Sequence, residues 1–134
     1  VAMPSLGRTF AVDPPEVLPP YEREQPILVT SRNRNTYAAV AVARSLDCLV
    51  GRLGSAGAKT MAVVMGEADV YVHDGGMYQW DTAAPAAVAA AAGLHVSRID
   101  GSPLVYNRPE LWLPDFLVCR REIADATLSA LPGG

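Results

Sequence analysis

The stretch from Leu53 to Gly93 carries a helix signal, a strand signal and a second helix signal in close succession, which limits how the chain can fold. Ser55 is a typical N-cap for a helix over 56–65, because those residues are mostly good helix formers. Gly66 stands where a helix commonly ends in a left-handed residue. The first part of the stretch therefore predicts one well-bounded helix.

A strand and a second helix complete the stretch. Residues 68–73 combine β-branched and aromatic side chains in partial alternation, which favours a strand. Asp81 or Thr82 can cap the second helix, Pro85 falls in its first turn and Gly93 ends it. Two helix N-termini and the carboxyl end of a strand are thus expected to meet. Free N–H groups and helix dipoles at such a place favour an anion.

The rest of the chain continues the alternation of strands and helices. Further strands are predicted at 26–30, 49–53, 94–99 and 116–119, with helices at 37–46 and 122–131. A turn at 100–101 leads to a possible hairpin arm at 103–106, residues 6–12 form a strand or hairpin, and 108–114 form a loop. Val40, Ala41 and Leu46 are expected on the inner side of the helix at 37–46. This spacing predicts an α/β fold with mixed or parallel strand pairing.

Composition excludes several classes of function. The 134 residues suffice for one domain or half of a larger one, and the net charge of −3 without a basic run argues against non-specific nucleic-acid binding. No apolar run reaches the roughly 18 residues of a membrane span, and the start lacks the features of a signal peptide. Cys48 and Cys119 lie in apolar surroundings, which favours buried free thiols. A cytoplasmic protein is expected.

The segment Trp80–Pro85, followed by the helix end at Ala92–Gly93, resembles the C-terminal signature of the inositol monophosphatase superfamily. In that signature a Trp-Asp pair opens an alanine-rich helix. The upstream Gly54-Ser55-Ala56 and the strand 66–71 stand at the spacing that the superfamily uses. The resemblance covers roughly 27–119.

Two further features resemble one branch of the superfamily, the CysQ-type 3′(2′),5′-bisphosphate nucleotidases. They are Lys59 and the turn Gly101–Asn107. Two upstream motifs of the superfamily, a Glu-Glu pair and an Asp-Pro-(Ile/Leu)-Asp-Gly-Thr segment, do not occur, and Asp13-Pro14 does not match the second.

The resemblance implies the C-terminal half of a layered α/β sandwich, with a mixed sheet flanked by helices. Residues 1–25 would be the end of the N-terminal, metal-site subdomain and a linker, and 26–134 the C-terminal α/β subdomain. The isolated chain would then lack most metal ligands and be inactive. Its expected partners are its own N-terminal half, a phosphorylated nucleotide and a second copy in a homodimer, with no nucleic acid or membrane.

The resemblance also assigns roles to particular residues. Asp81 matches the metal ligand for Mg²⁺, an ion that takes oxygen ligands, and its alternative is an ordinary N-cap. Lys59 would contact a substrate phosphate, and its alternative is a solvated surface lysine. Ser55 and Ala56 would offer backbone N–H groups to the substrate.

Four further residues are candidates for substrate binding. Arg32 and Arg34 follow a predicted strand, and their planar side chains suit phosphate, although loop arginines often have no such role. Asp74 matches an acidic residue that binds substrate hydroxyls in inositol monophosphatases. His73 lies near the nucleotide in the other branch, and its alternative is a strand-end histidine without a role.

The function implied is a Mg²⁺-dependent phosphatase that converts 3′-phosphoadenosine 5′-phosphate to AMP and phosphate, as part of sulfate assimilation. An inositol-1-monophosphatase or fructose-1,6-bisphosphatase is the alternative of the same superfamily, which Asp74 keeps open. A non-catalytic α/β binding module is the alternative of another class, favoured by the missing upstream carboxylates.

Overall fold

The computed structural model describes residues 2–3, 8–9, 12, 15–31, 36–74, 77–78, 82–104, 112–113 and 115–131. The strands are β1 (Ala2–Met3), β2 (Arg8–Thr9), β3 (Ile27–Ser31), β4 (Leu49–Leu53), β5 (Val70–His73), β6 (Met77–Tyr78), β7 (His95–Ser97), β8 (Trp112–Leu113) and β9 (Phe116–Cys119). The helices are α1 (Tyr37–Ser45), α2 (Ala56–Val64), α3 (Ala83–Ala91) and α4 (Ala124–Ala130), the last preceded by a 3-10 turn at Arg121–Ile123.

A mixed sheet of five strands, in the order β4-β3-β5-β9-β7, forms the centre of the fold. Strand β3 pairs in parallel with β4 and with β5, whereas β9 pairs antiparallel with β5 and β7. In this register Ser31 lies opposite Leu53, and Val29 lies opposite Tyr71. The carboxyl ends of β3, β4 and β5 therefore meet at one edge of the sheet, called the carboxyl edge below. The mixed α/β fold class predicted from the sequence is confirmed.

Helices cover both faces of the sheet, because side chains alternate along each strand. Tyr71 and Phe116 pack on one face with α2 and α3. Val72 and Leu117, their neighbours in the chain, pack on the other face with α1 and α4. Helix α1 carries the chain from β3 to β4 over one face, and α2 carries it back past β3 to β5 over the other face. The strand order therefore reverses at β3, which places a topological switch point between β3 and β5. In α/β sheets ligands bind outside the carboxyl ends of strands at such points.

A buried carboxylate fastens the segment before β3 to the opposite edge of the sheet. Asp69 Oδ2 accepts hydrogen bonds from Arg23 Nη1 at 2.7 Å and from the Ile27 N–H at 2.8 Å. Arg23 Nη2 donates to the Gly66 carbonyl at 3.0 Å. Gly66 has φ +79°, and a Cβ on it would collide with Pro19 Cγ. The extended Pro-rich segment therefore packs directly on the turn after α2.

Most sequence predictions for helices are confirmed. As predicted, Ser55 caps α2 through its side chain and Gly93 ends α3 with φ +98°; the side chain of Thr36 caps α1 in the same way. The prediction that Val40 lies on the inner side of α1 is wrong, since Val40 is 37% exposed and the buried residues are Ala38, Ala39 and Val42. Ala38, Ala39 and Val42 form the side of α1 that packs on the sheet.

Two predictions near the end of the chain need correction. Residues 112–113, predicted as loop, form β8 and pair antiparallel with β6. Residues 103–104 are not in a strand, and the rest of the predicted arm lies outside the described residues. The two cysteines are free thiols, as predicted, with Cys119 buried and Cys48 half-buried. Within the part of the chain that the structure describes, no helix is long and apolar enough to cross a membrane.

Candidate functional site

Two helix N-termini meet at the carboxyl edge. Helix α2 begins directly after β4, with Gly54 and Ser55 as the connection. In the first turns of α2 and α3, a Cβ built on Gly57 would lie 3.8 Å from Pro85 Cγ. The two helices begin side by side, as the sequence predicted. Their first N–H groups lack acceptors within the helix, so their dipoles favour an anion here.

Ser55 acts as the N-cap of α2. Its Oγ accepts a hydrogen bond from the Ala58 N–H at 3.0 Å, and its carbonyl accepts from the Lys59 N–H at 3.0 Å. This arrangement occupies the hydroxyl and fixes where Ala56 begins the helix. The structure therefore places Ser55 and Ala56 at the carboxyl edge and gives the Ser55 side chain a capping role.

Lys59 is buried beneath the turn that connects β4 and α2. Its side chain is 2% exposed, and Nζ donates to the carbonyls of Leu53 at 3.3 Å and Gly54 at 3.4 Å. The same Nζ lies 5.3 Å from the centroid of the Tyr71 ring. Burial lowers the pKa of the Lys59 ammonium. The alternative of a solvated surface lysine is therefore wrong.

No carboxylate of the described residues forms a salt bridge with Lys59; the salt bridges there join Arg23 to Asp69, Arg98 to Asp115 and Arg120 to Glu122. Lys59 is also the one lysine among the 134 residues. A buried cation that none of the described carboxylates pairs with is costly, and its place at the carboxyl edge makes Lys59 a candidate for anion binding.

His73 and Asp74 lie at the carboxyl end of β5. His73 is buried and lies opposite Phe116 of the neighbouring strand β9. Asp74 Oδ2 accepts a hydrogen bond from the Ala38 N–H at 3.0 Å, in the first turn of α1. Thr36 Oγ1 accepts from the Ala39 N–H at 3.1 Å in the same turn. The N-terminus of α1 is thus filled by the chain's own carboxylate and hydroxyl groups.

Three residues proposed from the sequence, Arg32, Arg34 and Asp81, lie outside the described residues. The structure thus brings Ser55, Ala56 and Lys59 together at the carboxyl edge after β4, with His73 and Asp74 at the carboxyl end of β5, which β3 separates from β4. Among the described residues, no three His, Cys, Asp or Glu side chains lie close enough together to hold a metal ion. These residues alone do not make a metal centre.

Sequence reasoning missed the role of Tyr71, which is 2% exposed and lies under the Lys59 ammonium. One signal for this arrangement was present. Lys59 is the single charged residue in a helix whose other positions are all apolar, glycine or threonine, and such a helix is typically buried on most sides. A charge within it is then expected inside the protein.

Comparison with known proteins agrees with this architecture. Residues 18–131 match the sequence profile of the inositol monophosphatase family. The chain therefore belongs to the inositol monophosphatase family, and the resemblance seen in the sequence is confirmed.

Among curated relatives, a 3′-phosphoadenosine 5′-phosphate phosphatase of Mycobacterium leprae is 57% identical over 79 residues, which are 59% of this chain and 29% of that protein. The 3′(2′),5′-bisphosphate nucleotidase CysQ of Escherichia coli K12 is 48% identical over 61 residues, which are 45% of this chain and 25% of that protein. The matched stretches thus span less than a third of these relatives.

Among solved structures, CysQ from Bacteroides thetaiotaomicron, a bacterial member of the inositol monophosphatase family, superimposes with a TM-score of 0.64. The two proteins are 32% identical, and the match covers 75% of this chain and 39% of that one. The names of these relatives support the resemblance of this chain to the CysQ-type branch of the family.

Proposed function

We propose that this chain belongs to a Mg²⁺-dependent phosphomonoesterase that removes the 3′-phosphate of 3′-phosphoadenosine 5′-phosphate and leaves AMP. The single observation that carries the proposal is the buried ammonium of Lys59 at the carboxyl edge, beside the N-termini of α2 and α3. The names of the relatives from Mycobacterium leprae and Escherichia coli support the choice of substrate.

The charges at this edge favour a phosphate group. A phosphate dianion compensates the buried ammonium and accepts hydrogen bonds from the N–H groups of two helix N-termini. Because the surroundings of Lys59 are apolar, its attraction for a phosphate is screened less than on the surface. The turn 53–55 and the first turn of α2 would hold the phosphate in one orientation. Arg32 and Arg34 would supply further contacts to a doubly phosphorylated nucleotide.

Mg²⁺ is the metal that the family implies, and we assign Asp81 to it as a ligand together with carboxylates outside this chain. When bound, such ions stabilise the attacking and leaving oxygens of a phosphoryl transfer. The residues of this chain bind and orient the substrate. Lys59 and the N-terminus of α2 bind a phosphate group, and His73 lies against the nucleotide. On this proposal the isolated chain does not turn over substrate and needs its N-terminal half.

The proposal also includes a cellular role and an oligomeric state. Removal of the 3′-phosphate would clear a by-product of sulfate assimilation in the cytoplasm, and the protein would work as a homodimer. The non-catalytic binding module remains the alternative of another class.

The same-family alternative, a phosphatase for inositol or fructose phosphates, depends on Asp74 as a ligand for substrate hydroxyls. In the structure one oxygen of Asp74 is bonded to the Ala38 N–H. This contact gives Asp74 a structural task at the start of α1 and lessens its support for a sugar or cyclitol substrate.

The test is phosphate release by the full-length protein from 3′-phosphoadenosine 5′-phosphate and from inositol 1-phosphate, with and without Mg²⁺, and in an Asp81→Asn variant. Mg²⁺-dependent release that prefers the nucleotide and is lost in the variant is expected. A preference for the inositol ester would instead support the inositol phosphatase alternative. No release from either by a folded protein would contradict the phosphatase proposal.

A further inference from the structure

The Lys59 ammonium lies between two main-chain carbonyls and an aromatic ring. Nζ donates to the Leu53 and Gly54 carbonyls, and the Tyr71 ring centroid lies 5.3 Å from it. Tyr71 projects from β5, the strand whose carboxyl end reaches the candidate site. A ring face carries partial negative charge and attracts a cation within about 6 Å of its centroid. The ring therefore contributes to holding this charge.

The other groups around the ammonium carry little compensating charge. Helix α3, which packs against α2, has the sequence AAPAAVAAA and carries no charged side chain. In β5, alternation places His73 on the same face as Tyr71. In β4, Arg52 donates to the Ser31 carbonyl and adds no negative charge. Among the described residues, two weak carbonyl contacts and the ring of Tyr71 are what stabilise the buried ammonium.

The orientation of the Tyr71 ring is itself fixed by packing. Its centroid lies 5.8 Å from that of Phe116, and the ring planes are inclined by 63°, an edge-to-face arrangement that aromatic rings prefer. Tyr71 and Phe116 are both almost fully buried. The ring face under Lys59 is thus preorganised by β9.

We propose that Tyr71 is a positioning residue for phosphate binding, whose ring face keeps the Lys59 ammonium charged beneath the turn 53–55. The inference rests on the proposed function only in taking phosphate as the ligand. Tyr71 touches no substrate and acts through Lys59. Loss of the ring face would let the ammonium lose its proton more readily and move away from the turn, and both changes weaken phosphate binding.

Three variants of the full-length protein separate this role from packing. Tyr71→Phe keeps the ring face, and Tyr71→Leu removes it. Leu94→Ala makes a cavity in the same core but leaves both the Tyr71 ring beneath Lys59 and its contact with Phe116. Should Tyr71→Leu not fold, Tyr71→Met fills more of the space, also without a ring face. Circular dichroism and thermal unfolding establish that each variant is folded.

The readouts are the titration of Lys59, followed by NMR on protein with ¹³C-labelled lysine, and the affinity for inorganic phosphate measured on the same signal. The signal is assigned by its absence from Lys59→Met. We expect Tyr71→Leu to lower the pKa of Lys59 by about one unit and to weaken phosphate binding about tenfold, the size of a buried cation–π contact. Tyr71→Phe and Leu94→Ala should leave the pKa of Lys59 and the phosphate affinity close to wild type.

An unchanged Lys59 titration in Tyr71→Leu, or equal effects in Tyr71→Leu and Leu94→Ala, would overturn the inference. Because the readouts do not depend on turnover, the two proposals fail separately. A protein that binds phosphate as expected but releases none from a nucleotide contradicts the proposed function alone.

Discussion

Gly57 faces Pro85 where the first turns of α2 and α3 lie side by side. A Cβ on Gly57 would lie 3.8 Å from Pro85 Cγ and 4.0 Å from Ser55 Oγ, which is ordinary van der Waals contact. The position therefore has room for one methyl group and not for a long side chain. Both helix starts face the carboxyl edge, so the spacing matters for the candidate phosphate site.

Gly57→Ala is expected to stabilise the protein. Glycine in a helix costs roughly 0.5–1 kcal/mol relative to alanine, and the added methyl group meets no close neighbour. Urea unfolding should show a higher free energy of unfolding by about that amount. Gly57→Leu should instead separate the two helices and raise KM for the phosphorylated substrate. A loss of stability in Gly57→Ala would show that the helices are closer than described.

Gly66→Ala is expected to destabilise the protein more than Gly93→Ala. Both glycines have positive φ, +79° and +98°, where a side chain costs about 1–2 kcal/mol. Only at Gly66 would the new Cβ also collide with Pro19 Cγ, whereas nothing lies within 4 Å at Gly93. The difference between the two variants in thermal unfolding measures the contact with the Pro-rich segment. Equal losses would mean that this segment does not pack on the turn.

Asp69→Ala is expected to cost about 3 kcal/mol of unfolding free energy, because it leaves the Ile27 N–H without its acceptor and breaks the bond with Arg23. Asp100→Ala is the matched control. Asp100 is exposed, and among the described residues its side chain accepts hydrogen bonds only from Ser102, two residues along the chain. Chemical denaturation should show little change for the control. Similar small effects in both variants would contradict the fastening role of Asp69.

Stability should fall at alkaline pH because of the buried thiol of Cys119. Burial raises its pKa from 9.0 to about 12, opposed by a hydrogen bond with Thr127. Between these two values the unfolded chain releases a proton that the folded chain keeps, so stability decreases as pH rises. The contribution of Lys59 to stability rises with pH instead, because burial lowers the pKa of its ammonium and the folded chain gives up that proton before the unfolded chain does. Urea unfolding across this range should therefore show a shallower decrease in Cys119→Ala. An unchanged slope would contradict the burial of this thiol.

The local elements of the fold could be predicted from the sequence because their signals are local. Ser55 and Thr36 are residues whose side chains cap helices, and Gly66 and Gly93 supply positive φ where helices end. The strand at 116–119 is a short apolar run and was predicted at its observed bounds. Each of these features depends on a few adjacent residues.

The arrangement around Lys59 depends on strand order and could not be predicted in the same way. The contact of Tyr71 with Phe116 arises because β9 pairs antiparallel with β5, and these strands are distant in the sequence. The bond from Ala38 to Asp74 likewise requires β5 to lie beside β3. Helical periodicity also failed for Val40, because Ala38, Ala39 and Val42 form the side of α1 that faces the sheet.

The most direct test of the candidate phosphate site compares Lys59→Met with Arg121→Met in the full-length protein. Arg121 is an exposed cation in the turn before α4, whereas Lys59 is buried at the carboxyl edge. KM and kcat are measured for 3′-phosphate release from 3′-phosphoadenosine 5′-phosphate with Mg²⁺. Hydrogen bonds to charged groups contribute about 1.5–3 kcal/mol, so KM should rise at least about tenfold in Lys59→Met and stay unchanged in Arg121→Met. A folded Lys59→Met variant with the KM of the wild type would contradict the assignment of the phosphate to this edge.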